Sequence, residues 1–225
     1  MNSDFKKLDL RLSAILRHLD VCDTTADVGC DHGKISLCIL KENISKNVVC
    51  TDISEKCLQK TRNLLNKANL SDRAIFINCD GLTGAAGVNI NQIIIAGMGG
   101  INIAHILTQL PTNMQTAKLV LQPMNNITQV RTTLNRLNKK IIRDEIIFDK
   151  NKYYHIIVAV SGKQKLTIDQ IRCGAITEDY RSDDYQRWLN YKINKVRTIV
   201  NGVDPQNPKY SELCEYLNAL CKCKF

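Results

Sequence analysis

Long hydrophobic runs, metal-ligand spacings and internal repeats are features that this sequence lacks. Its apolar runs, such as Ile93–Ala96, are far too short to span a membrane, and its first residues carry no apolar core typical of a secretory signal. Ten cysteines occur without one Cys-x-x-Cys pair, and Cys221 and Cys223 are spaced badly for zinc. We therefore expect a reduced, cytoplasmic protein with no bound metal and no membrane contact.

Positive charge is concentrated in one part of the chain. The 225 residues carry a net charge of +9, and residues 118–165 alone hold ten basic and three acidic side chains. Such a surface is typical of proteins that bind polyanions, nucleic acids above all, although modest basicity also serves solubility. The basic side chains expected to contact nucleic-acid phosphates are Arg11, Arg131, Arg136, Lys139, Lys140 and Arg143.

A strand, a glycine turn and a helix are predicted over residues 24–40, with the sequence Asp-Val-Gly-Cys-Asp-His-Gly at 27–33. Gly29 allows a sharp turn and a close approach to a ligand. Asp31 stands where a dinucleotide-binding loop has its second glycine, and two acids make a poor cradle for pyrophosphate. Asp27 and Asp31 suit a cationic ligand better, such as the sulfonium and ammonium groups of S-adenosylmethionine.

Four more strands follow, and two of them also end in an acid. Asp52 closes the strand 47–52, where this fold binds ribose hydroxyls, and Asp80 closes the strand 74–80. Strands at 93–96 and 118–121 precede helices, and residues 141–148 and 153–160 form an antiparallel pair around a short polar turn. An amphipathic helix at 8–19 precedes the first strand.

Residues beyond Gly162 contain no convincing strand. Their apolar spacing predicts two long helices, interrupted between Gly202 and Pro208. The fold class is therefore α/β: a Rossmann-like class I methyltransferase sheet with a terminal antiparallel hairpin, and a C-terminal helical, coiled-coil-like domain. We place the boundary between residues 1–162 and 163–225.

The chemistry is narrowed by motifs that are missing. Ile-Ile-Ile-Ala-Gly-Met-Gly-Gly at 93–100 stands where adenine-N6 methyltransferases carry Asp/Asn-Pro-Pro-Tyr/Phe, and no Pro-Cys dipeptide is present for pyrimidine-C5 methylation. A ring nitrogen such as adenine N1 has a free lone pair and needs no strong base, so alignment would supply most of the catalysis. Asp31 is the candidate carboxylate for stabilising the cation that forms, with His32 as its orienting partner; both could equally have only cofactor-binding or packing roles.

Three motifs together resemble one family. Asp-Val-Gly-Cys-Asp-His-Gly, Ile-Ile-Ile-Ala-Gly-Met-Gly-Gly and Leu-Val-Leu-Gln-Pro, in this order and spacing, are similar to the bacterial tRNA (adenine(22)-N(1))-methyltransferases, TrmK. Leu-x-x-Arg-Leu at 8–12 and Tyr-Tyr-x-Ile-Ile-Val at 153–158 also resemble that family. Lys34, Ser36 and Met124 depart from its pattern, which leaves the residue that stacks on the target base open.

The resemblance implies methylation of adenine N1 in the D-arm of tRNA, with S-adenosylmethionine as cofactor and tRNA as partner, and we expect a monomer. The expected cofactor-binding positions are Asp27, Gly29, Cys30, Asp31, Asp52, Ile53, Asp80, Gly81, Gly97, Met98 and Gly99. Two alternatives remain: a methyltransferase for another RNA or a small molecule, and a Rossmann regulatory protein that binds a nicotinamide nucleotide.

Overall fold

A seven-stranded sheet forms the centre of the protein, as seen in a computed structural model that describes residues 9–224. Its spatial order is β3-β2-β1-β4-β5-β7-β6; β1 to β5 are parallel, and β7 is antiparallel to both β5 and β6. The strands are β1 Cys22–Val28, β2 Ser45–Asp52, β3 Ala74–Asn78, β4 Gln92–Met98, β5 Lys118–Pro123, β6 Lys139–Asp149 and β7 Lys152–Ser161. The predicted sheet and its terminal hairpin are confirmed.

Within residues 9–224, eight α-helices surround and follow the sheet. They are α1 Leu10–Leu16, α2 Lys34–Lys41, α3 Glu55–Lys67, α4 Gly100–Thr108, α5 Ile127–Arg136, α6 Ile168–Cys173, α7 Asp183–Asn201 and α8 Tyr210–Lys222. The predicted first helix is too long at its C-terminal end, because α1 stops at Leu16. At its N-terminus the Asp9 carboxylate accepts the Leu12 N–H at 2.9 Å; Leu8, where the prediction begins, lies outside the described residues.

The apolar sequence of the central strands is explained by burial on both faces of the sheet. Ile93 and Ile95 of β4 pack into one cluster with α4 and α5, whereas Ile94 packs into the other with α1, α2 and α3. Strands that are covered on both sides read as continuous apolar runs. The helical layers leave the carboxyl ends of the parallel strands as the edge at which ligands bind in this fold.

The C-terminal helices form a third apolar cluster. Trp188 and Leu189 of α7 and Leu220 of α8 share it with Ile146 of β6. The two predicted long helices are confirmed; α7 packs on the outer hairpin strand β6, and α8 packs on α7 and α6. The boundary at residue 162 stays a prediction. Within residues 9–224, no helix is long and apolar enough to cross a membrane, and no group of three or more His, Cys, Asp or Glu is arranged to hold a metal ion.

Candidate active site

A cavity of about 900 Å³ opens at the carboxyl ends of the parallel strands. The loops after β1, β2, β3 and β4 form its walls, so side chains far apart in sequence face one space. Nine of the eleven predicted cofactor positions line it: Gly29, Cys30, Asp31, Asp52, Ile53, Asp80, Gly81, Gly97 and Met98. The exceptions are Asp27 and Gly99.

Glycine geometry brings the first loop close to the β4 loop. Gly29 has φ +70°, and a Cβ at this position would collide with the methyl group of Met98. Its N–H donates to the Thr51 carbonyl at 2.8 Å, which fixes the turn against β2. A side chain at residue 29 would therefore strain the backbone and displace the flexible end of the Met98 side chain.

Asp52 connects the second strand to the first loop. Its Oδ1 accepts the Ser54 N–H at 2.9 Å, and its Oδ2 accepts the Asp31 N–H at 3.3 Å. Asp52 thus holds the turn that begins α3 and the backbone of the glycine loop at once. Its remaining acceptor capacity faces the cavity, where hydroxyl groups of a ribose would donate to it.

Asp31 and His32 lie together at the cavity mouth. The His32 Nδ1 atom is 3.0 Å from the Asp31 Oδ1 atom, and the two side chains are 56% and 61% exposed. Asp31 has φ +44°, a left-handed conformation that Asp and Asn adopt more readily than most residues. The loop therefore presents a carboxylate, oriented by an imidazole, to whatever enters the cleft. Whether they act catalytically stays a prediction.

Asp27 does not line the cavity, and its part in cofactor binding stays a prediction. It is 3% exposed at the end of β1 and accepts the Ser36 hydroxyl at 2.6 Å. Burial raises the pKa of its carboxyl group from 3.8 to about 6. Strand alternation turns this side chain beneath the loop, where it supports α2 through Ser36.

The raised pKa of Asp27 predicts how stability depends on pH. The folded protein binds this proton more tightly than the unfolded chain, so the stabilisation is complete below pH 3.8 and is lost as the pH rises through about 6. Between pH 4 and 7 we expect the free energy of unfolding of the wild type to fall by about 2 kcal/mol relative to Asp27→Asn. Urea unfolding at several pH values measures this, with exposed Asp23→Asn as control. A difference between wild type and Asp27→Asn that is independent of pH would refute it.

Gly99 is also outside the cavity wall, because it is the N-cap residue of α4. The next residue, Gly100, packs so tightly that an added Cβ would overlap the carbonyl oxygens of Asn125 and Asn126. The Met124 N–H donates to the Met98 carbonyl at 2.8 Å in the same region. The glycine pair therefore allows α4 to start against the loop after β5, and Gly97 and Met98 are left to form the wall.

Asn102, His105 and Arg11 are among the wall residues for which the sequence predicted no function or a different one. Asn102 and His105 of α4 face the cavity at helical i, i+3 spacing directly after the glycine run, a pattern that the sequence contains. Arg11, predicted to contact RNA from an exposed helix edge, instead lines the cavity. Its Nη1 donates to Gln122 Oε1 at 2.9 Å, and its guanidinium lies 5.6 Å from the ring centroid of Tyr154.

Part of the predicted basic surface at 118–165 is buried in the fold. Arg131 and Lys139 are each 2% exposed, so their prediction as surface phosphate contacts is wrong. Arg131 donates from Nε and Nη2 to Asp144 at 2.8 and 3.1 Å, and from Nη1 to the Ile171 carbonyl at 3.2 Å; Lys139 donates to the Gln115 carbonyl. Exposed Arg143 is paired with Asp179 at 2.7 Å. The remaining two, Arg136 and Lys140, are exposed.

Arg131 predicts a large effect on stability. It joins α5, β6 and α6, and burial raises the pKa of its partner Asp144 despite the neighbouring guanidinium. Arg131→Met would leave an unpaired buried carboxylate, at a cost of about 3 kcal/mol in the free energy of unfolding. Urea denaturation measures it. The control Arg131→Met/Asp144→Leu removes both charges and should recover most of the loss; a single variant as stable as the wild type would contradict this reading.

Known proteins resemble the chain along most of its length. A family model described as "Methyltransferase domain" matches residues 8–157. A Mycoplasma pneumoniae protein named "Putative tRNA methyltransferase" is 32% identical over 186 residues, which cover 80% of this chain and 83% of that protein. The Bacillus subtilis tRNA (adenine(22)-N(1))-methyltransferase is 26% identical over 171 residues, which cover 75% of this chain and 71% of that protein.

The fold is shared with a solved structure of TrmK. The structure of M. capricolum TrmK in complex with the natural cofactor product S-adenosyl-homocysteine has a TM-score of 0.85 and 22% identity, with 96% of each chain covered. The match includes the C-terminal helices as well as the sheet, since it extends far beyond residue 162. The chain therefore belongs to the methyltransferase-domain family and, within it, to the tRNA (adenine(22)-N(1))-methyltransferases, TrmK.

Proposed function

We propose that this protein transfers a methyl group from S-adenosylmethionine to N1 of adenine 22 in the D-arm of tRNA. The observation that carries the proposal is the acid-lined cavity at the carboxyl ends of β1 to β4. One of its carboxylates, Asp31, belongs to a loop that resembles the family's cofactor motif, and the matched relatives are named as tRNA methyltransferases.

The residues present fit this cofactor. Gly29 and Asp31 would hold its amino-acid part, Asp52 its ribose hydroxyls, and Asp80 with Gly81 its adenine. The carboxylates favour a ligand with ammonium and sulfonium charges over one with a pyrophosphate. When bound, the cofactor supplies an electrophilic methyl group on sulfur.

The protein's own role in the reaction would be alignment and charge stabilisation. Gly97 has no side chain, so the target base can approach the cleft closely. A base inside folded tRNA would be flipped into this cleft. Adenine N1 attacks with its own lone pair, so no protein base is needed in that step. Methylation leaves a positive charge on the adenine, which the Asp31 carboxylate would stabilise while His32 Nδ1 fixes its orientation.

Arg11 has a distinct role in this proposal. Gln122 and Tyr154 hold its guanidinium at the cavity wall beside Gly97, whose added Cβ would come within 3.7 Å of Nη1. An arginine in this cavity wall would contact a nucleotide held in the cleft, and not the tRNA backbone outside it. We propose that Arg11 contacts the substrate nucleotide next to the cofactor.

Binding and transfer assays test the proposed function together. Isothermal calorimetry with S-adenosylmethionine and with NAD separates a methyltransferase from a nicotinamide-binding regulatory protein, and we expect binding of the first alone. Transfer of radiolabelled methyl groups to tRNA, rRNA and a nucleoside mixture then identifies the substrate class. Incorporation into rRNA or small molecules with none into tRNA would contradict the proposal. We propose that the protein acts in the cytoplasm, because its proposed substrate is tRNA. We also propose that it is a monomer, and light scattering would measure its oligomeric state.

A further inference from the structure

We infer that a second groove, between α2 and α3, binds the sugar–phosphate backbone of the tRNA beside the methylated nucleotide. The groove has a volume of about 630 Å³ and is separate from the main part of the cofactor cavity. This inference rests on the proposed function and names a surface on which the substrate would lie.

Two facing rows of lysine line the groove. Lys34 and Lys41 lie on α2, and Lys60 and Lys67 lie on α3. Within each helix the two lysines are seven residues apart, close to two full turns, so they share one face at a spacing of about 10.5 Å. Four ammonium groups therefore line the two walls of one elongated depression.

The groove lysines Lys34, Lys60 and Lys67 have no acidic partner among residues 9–224. Among residues 9–224, the residues that line it include no Asp or Glu, and none of the ion pairs formed there involves Lys34, Lys60 or Lys67. Some other exposed lysines do have an acidic partner, as Lys46 has Asp23 at 2.6 Å. The groove therefore presents concentrated positive charge in addition to the exposed basic residues of 118–165.

The apolar floor of the groove favours binding of a polynucleotide over binding of a small anion. Leu37, Cys38 and Leu64 form an apolar floor between the lysine rows. A polymer with phosphates along its edges and uncharged riboses and bases between them matches basic walls around an apolar floor. A free phosphate would leave that floor uncovered.

Position connects the groove to the reaction. His32 and Lys34 line both the groove and the cofactor cavity, so the groove begins where the catalytic loop ends. A tRNA with its target base in the cavity would have neighbouring phosphates at this opening. The departure at Lys34 from the residues usual in the family places a charge at the junction of the two sites.

Two substitutions on α3 test this inference. Lys60→Gln/Lys67→Gln keeps good helix formers at exposed positions of α3 and removes two charges. Fluorescence anisotropy with an unmodified tRNA transcript that has adenine at position 22 should give a Kd at least about tenfold higher than for the wild type. The slope of log K against log salt should fall by about 1.4 to 1.8. The affinity for S-adenosylmethionine should stay within twofold, which also reports that the variant is folded.

The matched control is Lys195→Gln/Lys209→Gln, which removes two charges from exposed lysines in the C-terminal helical part. It should leave tRNA affinity and the salt slope unchanged. Equal losses in both double variants would reflect net charge alone and overturn the inference. If the wild type methylates tRNA and the α3 variant binds it normally, the groove proposal fails and the proposed function stands. A wild type that neither binds nor methylates tRNA overturns both.

The same variant separates other occupants of the groove. Normal tRNA binding with lost binding to phosphatidylglycerol vesicles would assign the groove to a membrane surface. Normal tRNA binding with loss of a dimer, measured by sedimentation, would assign it to a second copy of the chain. Either result contradicts the inference.

Discussion

Asp31→Asn is expected to lower kcat for tRNA methylation by about 100- to 1,000-fold while tRNA affinity changes less than threefold. The carboxylate lies at the mouth of the cavity, within 3.0 Å of His32 Nδ1, where a cation forms as the adenine is methylated. Removing one preorganised electrostatic partner of a transition state typically costs this much. Because the charge on the adenine appears only during the reaction, the effect falls on turnover and not on ground-state binding of tRNA.

Asparagine is the informative replacement at this position. Asp31 has φ +44°, and its N–H donates to Asp52. Asparagine tolerates the left-handed conformation and keeps the shape of the side chain. Alanine would add backbone strain of about 1 kcal/mol, so the effect of the strain could not be separated from the effect of the lost charge. Single-turnover rates and calorimetric cofactor affinities should be measured together. Unchanged turnover with a weaker affinity for S-adenosylmethionine would make Asp31 a cofactor ligand and not a catalytic group.

Asp52→Ala is expected to weaken S-adenosylmethionine binding by about 10- to 100-fold. The substitution removes the proposed ribose acceptor and also the acceptor that holds the N–H groups of Asp31 and Ser54. Hydrogen bonds to a charged group contribute about 1.5 to 3 kcal/mol each, and their loss would loosen the loop that must be preorganised. Calorimetry with S-adenosylmethionine and S-adenosylhomocysteine should give the same loss for both, because both carry the ribose.

Glu55→Ala is the matched control for Asp52. Glu55 is an exposed acid in the first turn of α3, three residues along the chain, and it does not line the cavity. It should retain cofactor affinity within twofold. An Asp52→Ala protein that binds the cofactor normally would contradict the assignment of Asp52 to the ribose. An equal loss of affinity in Glu55→Ala would show only a general effect of negative charge.

The architecture was predictable because its signals are local. Alternating and continuous apolar residues in β1 to β5 encode buried parallel strands, and the Gly29 and Gly97 turns follow from backbone sterics. Acids at strand ends must meet at one edge of a parallel sheet, which is why the positions of Asp52 and Asp80 in the chain suffice to place them together. The short helix α6 was missed although Thr167 and Gln170 form its capping box, a signal readable in the sequence.

The distribution of charge was not predictable, because it depends on partners remote in sequence. Arg131 reads as a solvated cation until the fold places Asp144 of the neighbouring β6 strand against it. Asp27 reads as one more strand-end acid, but the direction of its side chain turns it into the layer below the loop. The lysines of α2 and α3 form one groove only after the two helices pack side by side. Burial and pairing, and not residue type, decide which charges are available.

The central claim is tested most directly by locating the methyl group. The purified protein should be incubated with deuterium-labelled S-adenosylmethionine and an unmodified tRNA transcript, and the RNA then digested with nucleases and analysed by mass spectrometry. A transcript with guanine in place of adenine 22 is the control. We predict labelled 1-methyladenosine at position 22 of the first transcript and none in the second. Label at another position, on another base, or equally in both transcripts would contradict the account.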